Sequence, residues 1–456
     1  MISVDKLDAL TLKVSHVMES AKRLDLDFYF FFPSEIGINS QVLSENELYY
    51  SAMTEKRAYF SDKTHLPLVH SRLAKRGKLS DNQYRVSLSL YAYQYVIALD
   101  SAVNGLRASI KSTDTVTEDE VDEVIHLSLD ILKKLRRSVP YEEAQVRYYI
   151  NIDNYLSWYT EQKFLALVAH LPRGKEYTLL RDRLITICER EQAHRVLNKY
   201  NSKKVNEDVT RLSNKMRLLR RLIEHPIVLK SKTSTVGKNQ SRAIKGIATG
   251  LVMVFVSLSL IAARDYLGEI TASFVFAMSV IYALREIFKD DLRDVMWRWI
   301  RKGKPKWRKD YIDPSTKKRV GGKLEWLDYT RFESLPDRIK TIRKTRVSQR
   351  EEQVLHYHSK AALSTTLFLS GYEQTRESMM FNLRPITRFM DRNSNRIYSL
   401  NDGQVSRENV EKRHLINLIV KEDRHDGAPI YSRFKLIVSR SKIVDIEKIP
   451  LDNKTS

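Results

Sequence analysis

The spacing of apolar side chains changes character along the chain, and each change predicts a different kind of element. Near the start, Leu24-Asp25-Leu26-Asp27-Phe28-Tyr29-Phe30-Phe31-Phe32 alternates and is stopped by Pro33, and residues 11–18 read the same way. A period of two belongs to a half-buried strand, so residues 1–43 are predicted to hold a β-hairpin. From residue 44 the period lengthens to that of an amphipathic helix. Ser44 with Glu47, Ser80 with Gln83 and Thr117 with Glu120 are capping boxes that mark helix starts. Periodic stretches continue over 141–171, 176–200 and 206–224, the last ending ahead of Pro226. Residues 44–229 are therefore predicted to form a helical domain.

In mid-chain the periodicity gives way to two uncharged runs, 246–263 with 18 residues and 270–284 with 15. The first is long enough to span a bilayer; the second can cross if its flanking residues extend it or the bilayer thins. A transmembrane helical hairpin over 246–288 is the expected form, because hydrocarbon requires each segment to bond its own backbone groups. Gly246 and Gly250, with Ser273 and Ala277, provide small residues at four-residue spacing for helix packing. No ionisable group lies inside either run, which argues against a channel or transporter.

Charge fixes the expected orientation. Lys230, Lys232, Lys238, Arg242 and Lys245 precede the first run, and a dense basic series follows the second. Both flanks favour the cytoplasmic side, so both termini are expected there. Beyond the second run, residues 289–310 are expected to form a basic interfacial helix. Its Trp297, Arg298, Trp299, Arg301, Lys302, Lys304, Lys306, Trp307, Arg308 and Lys309 would meet the headgroups of anionic lipids.

From about Glu352 the pattern changes to short alternating runs, clearest at 414–420, 431–438 and 443–449, which predict a small antiparallel sheet and make 311–456 a β-rich domain. The aromatic face of the N-terminal hairpin needs a partner and is expected to complete this sheet. The fold class is thus an α+β membrane protein: a mainly α-helical cytosolic bundle, a two-helix transmembrane hairpin and a β-rich C-terminal domain.

The formal net charge is +22, and residues 301–350 alone hold 17 lysines and arginines against six acids. Such a segment suits anionic lipid or, as an alternative, nucleic acid; Arg338, Lys340, Arg343, Lys344, Arg346 and Arg350 cluster within it without any aromatic residue for base stacking. The one cysteine, Cys188, excludes an internal disulfide and a thiolate metal cage. The first residues lack a secretory signal.

No residue set specifies a reaction. Gly237-Lys238 and Gly174-Lys175 lack the Walker context. His356-Tyr357-His358 puts two imidazoles on one face of a strand, but a metal centre needs a third ligand that the sequence does not point out. No catalytic residue, cofactor or metal ligand is assigned.

The run from Phe28 to Asn39, taken with the membrane hairpin and Arg433-Phe434-Lys435-Leu436-Ile437-Val438, resembles a family of uncharacterised bacterial inner-membrane proteins with a two-helix membrane hairpin. The resemblance implies the bacterial inner (plasma) membrane and no particular activity. The resulting expectation is a membrane-anchored, non-enzymatic scaffold or regulator that binds another protein. The alternatives are a membrane-tethered nucleic-acid binder using 301–350 and an enzyme with a dispersed site. The small-residue seam also allows a homo-oligomer.

Overall fold

The computed structural model describes residues 2–19, 22–60, 80–113, 117–172, 174–267, 272–301, 303–343, 352–364, 374–391, 394–401 and 404–451. It is a mixture of α-helix and antiparallel sheet. The two N-terminal strands form where alternation placed them, as β2 (Thr11–Glu19) and β3 (Arg23–Pro33), after a short β1 (Ser3–Lys6). They do not pair as a hairpin. Strand β3 enters a large sheet and β2 a smaller one, and each turns its apolar side chains, Leu12 and Val14 from β2 and Phe28 and Phe30 from β3, into the core between the two sheets.

The large sheet has eight strands, in the order β14-β13-β12-β3-β8-β7-β6-β5. Its members are β5 (Lys230–Thr235), β6 (Trp307–Ile312), β7 (Arg319–Thr330), β8 (Glu352–Leu363), β12 (Arg413–Asp423), β13 (Ile430–Ser439) and β14 (Ile443–Ile449), with β3 at the centre. The N-terminal strand therefore does complete the C-terminal sheet, pairing with β8 through Phe28 opposite Tyr357 and with β12 through Phe30 opposite Leu418. The small sheet runs β1-β2-β9-β4, from β4 (Met53–Phe60) and β9 (Gln374–Asn382). A separate two-stranded ribbon joins β10 (Ser394–Asn401) to β11 (Gln404–Glu411).

Helices occupy the stretches whose periodicity predicted them: α1 (Glu45–Ala52), α2 (Asp81–Thr113), α3 (Glu118–Arg136), α4 (Glu143–Val168), α5 (Thr178–Leu197) and α6 (Val209–Glu224). The predicted caps are present. Ser44 Oγ accepts from Glu47 N at 3.3 Å, Ser80 from Gln83 N at 3.4 Å, and Thr117 forms a capping box with Glu120. Helices α2 to α6 pack on the outer side of the small sheet, where Lys56 of β4 pairs with Glu224 of α6.

The two sheets face each other across a core that is half oil and half salt. Phe28, Phe30, Phe32, Leu418 and Phe381 fill one end, each apolar side chain contributing about 1.5–3 kcal/mol by its removal from water. At the other end Glu55 and Arg57 of β4, Glu377 of β9, Lys309 of β6, and Lys323 and Glu325 of β7 are packed together. Lys309 Nζ lies 2.9 Å from Glu55 and 3.1 Å from Glu325, and Lys323 Nζ bridges to Glu55 at 3.2 Å and also reaches Glu377. Tyr357 donates to Glu325 at 2.5 Å, Tyr49 of α1 donates to the same carboxylate, and Tyr311 donates to Glu55. Three carboxylates meet three cations, so the cluster is internally neutral, which is the condition for burying charge at tolerable cost.

Helices α7 (Lys238–Leu267) and α8 (Ala272–Arg301) lie side by side and form an excursion from the edge of the large sheet. Strand β5 leads into α7 and α8 leads back to β6, and these two strands pair, with Thr235 opposite Trp307. The excursion thus leaves and returns at one point.

Candidate functional site

The outer face of the large sheet is set by the alternation that fills the core. Inward Leu24, Leu26, Phe28, Phe30 and Phe32 leave Arg23, Asp25, Asp27, Tyr29 and Phe31 on the other side of β3. On β8 the outward set includes His356, His358 and Lys360, and register brings Asp27 opposite His358 and Asp25 opposite Lys360. One end of this face is closed by helix α9 (Asp337–Arg343), whose Ile339 and Ile342 pack with Leu335 on Tyr29, Phe31, Val354 and Ile419.

The other end is an open cleft of about 760 Å³ lined by Arg23, Asp25, Arg308, Arg319, Lys360 and His425 among others. Its floor includes Gly322, where a Cβ would lie 2.7 Å from Arg319 Nη2, so the guanidinium rests across bare backbone. Arg308 and Arg319 share Asp310 at 3.2 and 2.8 Å. Lys360 and His425 share Asp25 at 3.3 and 3.4 Å. Counting Arg23, four permanent cations face two carboxylates, and the cleft keeps a positive excess suited to an anionic group.

Two residues along the same strands lies a second cluster. His356 Nε2 and His358 Nδ1 each stand 2.8 Å from Asp27 Oδ1, and the donor atoms of the three residues all fall within 4.8 Å of one another. Tyr29 stacks on His356 with ring centroids 4.2 Å apart, and Trp326 leans on His358 at 4.8 Å. Burial would push the Asp27 carboxyl up, but the hydrogen bonds from His356 and His358 outweigh it and hold the group well below the usual carboxylate range. Asp27 is therefore a fixed anion.

No family model, curated protein or solved structure matches the chain.

The residues expected at a lipid interface are split by the structure. Trp299, which is 78% exposed, and the half-buried Trp297 lie with Arg298 and Arg301 on the last turns of α8, and Lys304 is exposed just beyond. Lys302 lies outside the described residues. The helix ends at Arg301 instead of running to 310, because Gly303, in a left-handed conformation, and Pro305 break it. Lys306 and Arg308 pair with Asp328 and Asp310. Trp307 and Lys309 are corrected outright: both are buried on β6, Trp307 stacking on Tyr49 at 3.8 Å and Lys309 joining the ionic core. Alternation turns every second residue of a strand inward, and a helical reading of this segment hid that.

The expected packing seam is displaced as well. A Cβ at Gly246 or Gly250 would meet nothing within 4 Å, and Ser273 is exposed. Helix α7 instead buries Ile244, Ala248, Val252 and Val256, the stripe two residues away. Much of the basic excess in 301–350 is also spent internally. Lys309 and Lys323 are in the core, Arg343 pairs with Glu352, and Lys340 with Asp337. Lys344, Arg346 and Arg350 lie outside the described residues.

Asp27 is the residue that sequence reasoning missed. The signal was present, since Asp25 and Asp27 occupy the outward positions of a strand whose inward positions are all apolar. What the sequence lacked was the β3–β8 register.

Proposed function

We propose that the chain is a membrane-anchored binding protein, without enzymatic activity of its own, that holds the two-sheet domain at a bilayer and captures an acidic segment of another protein in the basic cleft. The observation that carries the reading is the excursion of α7 and α8. Among the described residues one helix, over Gln240–Tyr266, is long and apolar enough to cross a membrane, and only 17% of its most apolar window is buried. Val254, Phe255, Leu258 and Ile261 face outward from it, and Phe276, Val280, Leu284 and Ile287 continue the apolar surface on α8. Such a surface is unfavourable in water and stable in hydrocarbon.

In this reading α8 crosses as the shorter partner, its uncharged run ending at Leu284 before Arg285, Glu286 and Lys289. Two crossings would bring the paired β5 and β6, and with them the sheet edge, to one membrane surface, and the basic flanks favour the cytoplasmic side for both termini. The cleft residues Arg308 and Arg319 belong to the strands next to that edge, facing a partner recruited along the bilayer.

Titration of the detergent-solubilised full-length chain with a poly-glutamate peptide tests the partner. Salt-sensitive binding that falls at least about tenfold in Arg23→Glu/Lys360→Glu supports the cleft, following the usual behaviour of charge complementarity. Absence of binding at low salt removes it, and tighter binding of duplex DNA favours the nucleic-acid alternative.

A further inference from the structure

We propose that Asp27, His356 and His358 form a binding site for one divalent transition-metal ion, a property separate from the anchoring and the acidic-partner reading above. Two imidazole nitrogens and one carboxylate oxygen converge from adjacent strands, with Asp27 directly opposite His358 in the ladder. Metal–nitrogen and metal–oxygen bonds near 2.0–2.2 Å require donor atoms roughly 3–4 Å apart. The present separations, 2.8 Å for each His–Asp contact and no more than 4.8 Å for any pair, bracket that spacing. Ligation asks for side-chain rotations that lengthen the two His–Asp contacts and bring any wider pair inward.

The cluster is also held as ligands are held. Tyr29 lies parallel to the His356 ring, tilted only 5° from it, and Trp326 covers His358, so both imidazoles are oriented by packing before an ion arrives. His358 offers Nδ1 and His356 offers Nε2, and both ring nitrogens already meet at the same Asp27 oxygen. The rings retain about a quarter of their surface in solvent, at 25% and 21%, leaving a path of entry.

Donor chemistry selects the class of ion. Imidazole pairs suit Zn²⁺, Fe²⁺, Co²⁺ or Ni²⁺, whereas Mg²⁺ and Ca²⁺ require mainly oxygen. Two histidines and a carboxylate fill one side of the coordination sphere and leave the other open to water or an exogenous ligand. Lys421 Nζ, 3.8 Å from the second Asp27 oxygen, occupies the carboxylate's far side and favours a single metal–oxygen bond through Oδ1. The neighbouring cleft, with Lys360 two residues from His358, would place an anion next to the open positions.

The test uses the full-length chain in detergent, stripped with chelator and titrated with Co²⁺ alone. The expected result is one equivalent bound with visible d–d absorption, displaced by Zn²⁺, and a dissociation constant raised at least about tenfold in Asp27→Asn and in His358→Gln at unchanged circular dichroism. A second readout needs no substitution: Zn²⁺ should protect His356 and His358 of the natural chain from diethyl pyrocarbonate, read by peptide mass spectrometry. No uptake by the natural chain, uptake equal in the variants, or modification of both histidines at the metal-free rate overturns the proposal. Failure of poly-glutamate binding leaves it untouched, because the cleft variants keep the triad.

Discussion

Arg57 of β4 and Glu377 of β9 stand directly opposite each other in the small sheet, both wholly buried, with the guanidinium paired to the carboxylate. Burial alone would raise the Glu377 carboxyl, but Arg57 and then Lys323 hold it well below its ordinary value. The pair joins the sheets, since Glu377 also takes Lys323 from the large sheet. Removing one partner leaves an uncompensated buried charge, so Arg57→Met is expected to destabilise the chain by about 3–5 kcal/mol. Chemical unfolding in detergent checks the value, and the double variant Arg57→Met/Glu377→Leu should lose less than the sum of the two single changes.

The same core sets the pH dependence. Glu377 and Glu55 are depressed below the ordinary value of 4.5 when folded, so their stabilisation is complete above that pH and is lost as pH falls through their folded values. Burial opposes the charge on Lys309, yet Glu55 and Glu325 raise it above its ordinary 10.5, so its contribution is present below that pH and lost only as pH rises through the higher folded value. Melting temperature should therefore form a plateau from about pH 5 to 10 with a steep acid limb, and the Glu377→Gln variant should flatten that limb.

Gly321 and Gly322 lie side by side on β7 but tolerate a methyl group differently. A Cβ at Gly321 would lie 2.6 Å from the Ala362 carbonyl oxygen and 2.8 Å from Leu363, whereas at Gly322 its nearest neighbour is the movable end of Arg319. Gly321→Ala should cost about 1–3 kcal/mol by overpacking, and Gly322→Ala clearly less, with its main effect on the cleft. Thermal melts of the two variants decide the ranking.

Trp307 and Trp299 offer a direct contrast. Trp307 is fully buried against Tyr49, and Trp299 is 78% exposed at the end of α8. In single-tryptophan variants, lipid-borne or aqueous quenchers should reach Trp299 and leave Trp307 unquenched. Trp307→Ala should destabilise by about 3–5 kcal/mol, which a residue sitting at a lipid interface would not.

Strong local signals were legible in the chain. The capping hydroxyls at Ser44, Ser80 and Thr117, the strand 443–449 and the meeting of β3 with the C-terminal strands all follow from pattern and composition. Strands β6 and β7 were hidden because Lys309, Lys323 and Glu325 occupy inward positions beside Trp307, Tyr311 and Leu327, so the apolar alternation that marks a half-buried strand is interrupted by charge. The Asp27–His356–His358 cluster was half visible for a related reason. Two histidines on one strand can be read from spacing, but Asp27, 329 residues from His356, joins them only once register is known.

Extraction of native membranes with alkaline carbonate tests the proposal that α7 and α8 lie in hydrocarbon. The full-length chain should stay in the membrane pellet until detergent is added, and Val254→Lys/Leu258→Lys on the outward face of α7 should shift a large share to the supernatant. Release of the natural chain by carbonate alone would contradict it.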